Sequence, residues 1–245
     1  MLLRSFLLPL AFVAASPRSK AADGYMLWQK YDLITDVAQR NAYRQAAQYI
    51  AVEGSTSAVL RTAVSELQRG LQGLLDQPVP LVAQPQASST NRGISLIVSP
   101  TANVAGITIT QTTDGYRISS QGRDVVLTGR SGAGVLYGVY ALLRHLQTGQ
   151  SLANLTQASN PRIQYRLLNH WDNPNGTVER GYAGSSIWKW YELPERLDPR
   201  YTDYARANAS IGINRLAINN VNASARYLTP EYLQKVKALA GVFRP

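Results

Sequence analysis

From residue 162 to the end of the chain the order strand, long loop, helix occurs twice in succession, and this repeated unit limits the fold more than any other feature. Residues 162–168 form an apolar strand-like run, and 200–211 read as a helix. Residues 214–219 (NRLAIN) read as a second strand and 230–243 as a second helix, with Thr229 as its cap. A helix between consecutive strands returns the chain to the same sheet edge, so the strands run parallel. Two such units cannot close an eight-stranded barrel; if the sheet is a barrel, this sequence holds its beginning and is a truncated piece of it.

The preceding residues predict a separate, smaller α/β unit. Residues 25–52 are mixed, with aromatic Tyr25, Trp28, Tyr31, Tyr43 and Tyr49 and a strand-like end at 48–52. Thr56 or Ser57 caps a helix in which Val59, Leu60, Val64, Leu67, Leu71, Leu74 and Leu75 recur at helical spacing until Asp76 and Pro78 stop it. After the polar loop 83–92 comes a buried strand, 93–98 (GISLIV), and then a hairpin of 115–119 with 124–129 around Gln121 and Gly122. Residues 131–149 form a helix with an apolar stripe of Leu136, Tyr140, Leu143 and Leu146, its early glycines allowing close approach to a sheet. Gly129, Gly132 and Gly134 are not a phosphate loop, because no Lys-Ser or Lys-Thr pair follows and the spacing is not that of a dinucleotide fingerprint. The expected organisation is a leader at 1–21, an α/β domain at 22–149, a polar linker at 150–161, and the two β–α units at 162–245.

Composition narrows the class. With 45% hydrophobic and 16% charged residues the chain is globular rather than disordered. Residues 1–21 have a basic start at Arg4, an apolar run from Phe6 to Ala15 and small residues at cleavage positions after Ala15 or Ala21. That is the pattern of a secretory signal peptide, and the run is too short to span a bilayer. The expected location is secreted or periplasmic. There is no cysteine, which excludes disulfides and thiolate chemistry. The formal charge is +10, and removing Arg4, Arg18 and Lys20 with the leader leaves about seven positive charges, scattered along the chain. No basic run interleaved with aromatics suggests nucleic acid. No metal site and no cofactor are indicated, since His145 and His170 are the only histidines and lack partners at ligand spacing.

The densest chemistry lies at the end of the first parallel strand. Asn169, His170, Trp171, Asp172 and Asn173 follow it without a break and lead into ERGYAG and SIWKW. Side chains at the C-terminal ends of barrel strands face the active site, and an indole beside hydrogen-bonding groups suits a sugar, with its apolar faces and polar rim. The same residues also suit a structural strand end, where Trp caps a core and Asp and Asn build a turn. Arg180 is placed either to fork onto a substrate carboxylate or to pair with Glu179 or Asp172. His170 is open to both a ligand role and a structural one. Asn219, Asn220 and Asn222, at the end of the second strand, are candidate rim groups for hydroxyls or caps of the loop.

Together, RLLNHWDNPNGTVERGYAG, SIWKW, GINRLAINNVN and the earlier DGYMLWQKYD resemble the N-terminal part of the α-glucuronidases of glycoside hydrolase family 67, from about Asp23 to the last residue. The resemblance implies an N-terminal α/β domain and the first two β/α units of a (β/α)8 TIM barrel. It implies inverting removal of glucuronic acid, often 4-O-methylated, from the α-1,2 bond of xylan-derived acidic oligosaccharides. An inverting pair of carboxylates stands about 6.5–9.5 Å apart, and the family's pattern places its acid and base on later barrel strands. No catalytic residue is therefore assigned here. Asn169, His170, Trp171, Asp172, Arg180 and Asn220 are the expected substrate-binding residues. A homodimer is implied for a full-length protein. Two other readings are a β-N-acetylhexosaminidase-like glycosidase, because GRSGAGVLYGVYALLRHL is similar to the helix before that barrel, and a noncatalytic exported carbohydrate-binding fragment.

Overall fold

The computed structural model describes residues 23–54, 57–85, 91–101, 114–121, 124–219, 222 and 224–244. The expected leader 1–21, Thr56, Gly122 and Asn220 lie outside the described residues. The first half contains helices α1 (Val37–Ala46), α2 (Ala58–Leu75) and α3 (Gly132–Gln147). Its strands are β1 (Ile50–Glu53), β2 (Leu81–Val82), β3 (Ile94–Val98), β4 (Tyr116–Gln121), β5 (Asp124–Gly129) and β6 (Thr156–Ser159). They build one six-stranded sheet in the order β2-β1-β3-β5-β4-β6. The pairs β1–β2, β1–β3 and β3–β5 are parallel, whereas β4 runs antiparallel to both β5 and β6.

Each helix begins where a short polar side chain relieves its unpaired N–H groups. Asp36 caps α1, Ser57 caps α2 through Leu60 N, and Ser131 caps α3 through Gly134 N. The apolar stripe of α2 (Leu60, Leu67, Leu71, Leu74, Leu75) is buried, and so are Leu136, Tyr140, Leu143 and Leu146 of α3. These side chains join Ile94, Leu96, Ile118 and Leu127 of the sheet in one core. Glycine sets how closely these layers pack. A Cβ on Gly129 would stand 2.5 Å from the backbone nitrogen of Val135, and one on Gly138 would stand 2.8 Å from Leu127 Cδ2.

Three elements depart from the sequence expectation. Helix α1 occupies part of the mixed segment 25–52. Strand β2 precedes the polar loop. Strand β6 lies inside the expected linker 150–161, where residues 156–159 pair with β4 and form the sheet's last strand. An edge strand needs only backbone pairing, so its sequence, TQAS, carries no apolar alternation.

The second half contains β7 (Leu167–Asn169), α4 (Pro199–Ser210), β8 (Arg215–Ala217) and α5 (Pro230–Phe243). Strands β7 and β8 are parallel, with Leu168 opposite Leu216 and Asn169 opposite Ala217. Both are shorter than expected. Residues 162–165 lie outside the ladder; at Arg166 the carbonyl accepts from Asn214 N and Arg215 N, while the side chain turns back to donate to Gly212 O and Ile163 O and to pair with Asp114 at 2.8 Å. Asp198 caps α4 and Thr229 caps α5, each followed by proline in the first turn. A second core of Trp188, Trp190, Leu193, Tyr201, Tyr227, Tyr232 and Leu239 lies between these helices and the long loop. Among the described residues no helix is long and apolar enough to cross a membrane.

The halves meet through α4. Arg206 forks onto Glu66 of α2, Arg144 of α3 donates to Ser210 O at 3.0 Å, and Trp28 Nε1 donates to Ser210 Oγ at 2.7 Å.

Candidate functional site at the end of the first parallel strand

The C-terminal end of β7 separates its side chains into two groups. Asn169 is exposed, and the backbone continues the ladder for one more bond, from His170 N to Ala217 O at 2.9 Å. His170 turns inward. Its Nδ1 lies 3.2 Å from Asp172 Oδ2 and its Nε2 lies 2.6 Å from Tyr204 Oη on α4. The carboxylate can only accept, so Nδ1 carries the proton, and in the neutral ring Nε2 accepts from the tyrosine hydroxyl. Burial holds the Tyr204 hydroxyl above its ordinary range, with the Asp172 charge adding to that, so it remains a donor. Trp188 packs against both rings, 5.4 Å from the His170 ring and edge-on to Tyr204 at 5.7 Å.

Asp172 is only 2% exposed, and its carbonyl accepts from Tyr227 Oη at 3.3 Å. Burial raises the Tyr227 hydroxyl well above its usual range, with Asp172 contributing. His170 and Asp172 therefore hold the strand end with their polar atoms facing protein. Trp171, between them, is 40% exposed and presents its indole to solvent at this end.

The loop after Trp171 is a tight local structure. Glu179 N donates to Trp171 O at 2.8 Å, Asp172 bridges to Val178, and Thr177 bridges to Ser185. Asn173 Nδ2 donates to Glu179 O at 2.6 Å and to Thr177 Oγ1 at 3.0 Å, so this asparagine builds the turn. The hairpin reverses at Gly176, whose φ of +83° favours glycine. Helix α5 fastens the loop from the other side through Tyr232 Oη to Pro174 O. Arg180 is exposed on this loop and forms no ion pair with Glu179 or Asp172 among the described residues.

Of the six expected binding residues, the structure thus brings Asn169, Trp171 and Arg180 to the surface at one strand end and turns His170 and Asp172 inward; Asn220 lies outside the described residues. Tyr204 and Tyr227, which fix the inward pair, come from positions far along the chain and carry no local sequence signal. Two cavities, of about 860 Å³ along β8 and α5 and about 790 Å³ between α2, α3 and α4, are not lined by Trp171. Among the described residues no cluster of His, Asp and Glu has the makings of a metal site.

Comparison with known proteins defines the class. Residues 27–142 match the family model described as glycosyl hydrolase family 67 N-terminus, and residues 145–245 match the one described as glycosyl hydrolase family 67 middle domain. Both matches are to domains of glycosyl hydrolases. The two adjacent matches cover most of the sequence in the family's own order, and the chain belongs to glycoside hydrolase family 67. It is 31% identical to Alpha-glucuronidase A of Emericella nidulans over 99% of this chain and 29% of that protein. It is 33% identical to Alpha-glucuronidase of Hypocrea jecorina over 100% of this chain and 30% of that protein. The chain spans about 30% of the length of these curated relatives. Among solved structures, a family GH138 enzyme targeting pectin rhamnogalacturonan II shares the fold, with a TM-score of 0.54 and 17% identity over 80% of this chain and 22% of that one.

Proposed function

We propose that this chain is the N-terminal part of an exported α-glucuronidase that hydrolyses the α-1,2 bond between glucuronic acid, with or without a 4-O-methyl group, and xylo-oligosaccharides, with inversion. The observation that carries the reading is the joint one of family membership and an exposed Trp171 at the C-terminal end of a parallel strand, where a β/α barrel places its substrate. In this reading β7 and β8 are the first two barrel strands, and the exposure of Leu167 and Leu168 fits strands that other parts of the barrel cover.

The residues divide the work. Trp171 offers an apolar wall to the sugar or its methyl group, and Asn169 and Asn220 supply hydrogen bonds to hydroxyls. Arg180, without an internal partner among the described residues, attracts the uronate carboxylate. His170 and Asp172 hold Trp171 in place rather than touching sugar. Neither Asp172 nor Glu179 is assigned as acid or base. The Asp172 carboxylate is buried against His170, and Glu179 sits at φ 58° with its backbone committed to the turn.

The test is an assay of the natural full-length protein on aldouronic acids, with the product anomer followed by proton NMR. Release of free α-configured uronic acid from the α-linked substrate, or no release at all, overturns the proposal; initial appearance of the β-anomer supports it.

A further inference from the structure

The segment before α1 presents aromatic side chains whose polar atoms are already used. Tyr25 and Trp28 are each 45% exposed, yet Tyr25 Oη donates to Asp203 Oδ2 at 3.0 Å and Trp28 Nε1 donates to Ser210 Oγ at 2.7 Å. With both polar tips bound to α4, what faces solvent is carbon. The anchors, Asp203 and Ser210, are seven residues apart on one helix, so the two tether points lie about 10 Å apart along its axis. That is the reach of a short oligosaccharide rather than a single sugar ring. Trp28 is held a second time through its backbone, where Gln147 Nε2 donates to Trp28 O at 2.7 Å.

Beside Trp28 a groove of about 610 Å³ opens, lined also by Asp32, Thr35, Asp36, Gln39 and Gln147. The amide nitrogens of Gln39 and Gln147 are committed to Gly149 O and Trp28 O, which leaves their oxygens as acceptors. Lys30, the groove's cation, is paired with Asp32 at 2.9 Å. An apolar platform beside these acceptors fits a ligand that has apolar ring faces and donor hydroxyls, and the acceptors and the paired lysine of the groove favour a neutral one. Met26, Leu27 and Leu33 of the same segment are exposed as well, and clustered apolar surface is a mark of a binding site.

We infer that Tyr25 and Trp28, anchored on α4, form a second carbohydrate-binding site that holds an undecorated oligosaccharide chain. Only the choice of xylose as the sugar rests on the proposed function. The natural full-length protein is titrated with xylohexaose by calorimetry. The expected result is binding with a millimolar or tighter Kd, weakened roughly tenfold or more in Tyr25→Ala/Trp28→Ala. In Trp171→Ala the same Kd stays within about twofold. Should the double variant fail to fold, wild-type protein is oxidised with N-bromosuccinimide and Trp28 followed by mass spectrometry; xylohexaose is expected to slow its loss. No binding by wild type, no protection of Trp28, or self-association through this face in place of sugar binding overturns the inference. Loss of uronic acid release with xylohexaose binding intact would sink the proposed function and leave this site standing.

Discussion

Arg206 of α4 grips Glu66 of α2 with two parallel hydrogen bonds, Nε to Oε1 at 2.6 Å and Nη2 to Oε2 at 2.9 Å, and both side chains are nearly inaccessible to water. Burial by itself lowers the guanidinium pKa, and the Glu66 carboxylate outweighs it, so the net direction is upward. Removing Arg206 leaves the buried Glu66 with only the longer contact to the half-exposed Arg69, at 3.4 Å. Arg206→Ala is expected to cost about 3–5 kcal/mol, whereas Arg206→Met combined with Glu66→Leu should cost much less. Chemical denaturation of the three proteins checks the difference; equal losses would refute it.

Tyr204→Phe removes the donor to His170 Nε2 and is expected to cost about 1–3 kcal/mol, the scale of a buried group left without its hydrogen bond. Nitrogen-15 NMR of the His170 ring gives an independent reading. The Nδ1–H form should predominate in the parent protein, and Tyr204→Phe should shift the Nε2 resonance while the Asp172 contact is kept.

The Lys189–Asp198 pair, 2.7 Å apart, makes a pH-dependent contribution on the long loop. The hydrogen bond from Lys189 lowers the Asp198 pKa, helped by the backbone N–H of Arg200, and the hydrogen bond to Asp198 raises that of Lys189. A depressed carboxylate stabilises above its unfolded pKa, and a raised ammonium stabilises below its own. The contribution is therefore full between about pH 4 and about pH 10 and is lost as pH falls or rises beyond those limits. Asp198→Asn should lower the melting temperature at neutral pH and flatten its acid limb. Calorimetric scans across pH would show whether that limb is unchanged, which would count against the pair.

Gly129→Ala would place a methyl group against the backbone of Gly134 and Val135, which no side-chain rotation relieves. A loss of about 1–3 kcal/mol or more is expected in urea unfolding. A neutral result would mean that α3 can shift away from β5 without cost.

If the proposed function holds, Trp171→Ala in the natural full-length protein is expected to weaken transition-state binding of methylglucurono-xylo-oligosaccharides by about 1–3 kcal/mol, with little change in melting temperature because the side chain is 40% exposed. Kinetics normalised to folded protein decide it. An unchanged kcat/KM with a lowered Tm would make Trp171 a structural residue.

Much of this architecture can be read from the sequence where local signals are strong. Ser57 with the leucine stripe marks α2, Thr229-Pro230 marks the start of α5, and the alternation of Tyr116, Ile118, Val125 and Leu127 marks the β4–β5 hairpin. Helix α1 is harder to see because its residues, VAQRNAYRQA, bury little besides Tyr43. The site is half legible. That Asn169–Asn173 cluster at a strand end follows from adjacency, but that His170 and Asp172 face inward depends on Tyr204 and Tyr227, whose places are set by α4 and the approach to α5.

Strand β6 changes where this protein can be divided. Because residues 156–159 supply the last rung of the first sheet, pairing with Tyr116–Ser119, a module cut at Gly149 would expose the outer side of that stretch of β4, a bare template for pairing between copies. A cut made just after Ser159 keeps that side closed. Any recombination that moved the first half intact to another domain would therefore have had to carry the connecting segment with it, and the joint between the two halves falls in the few residues before Arg166.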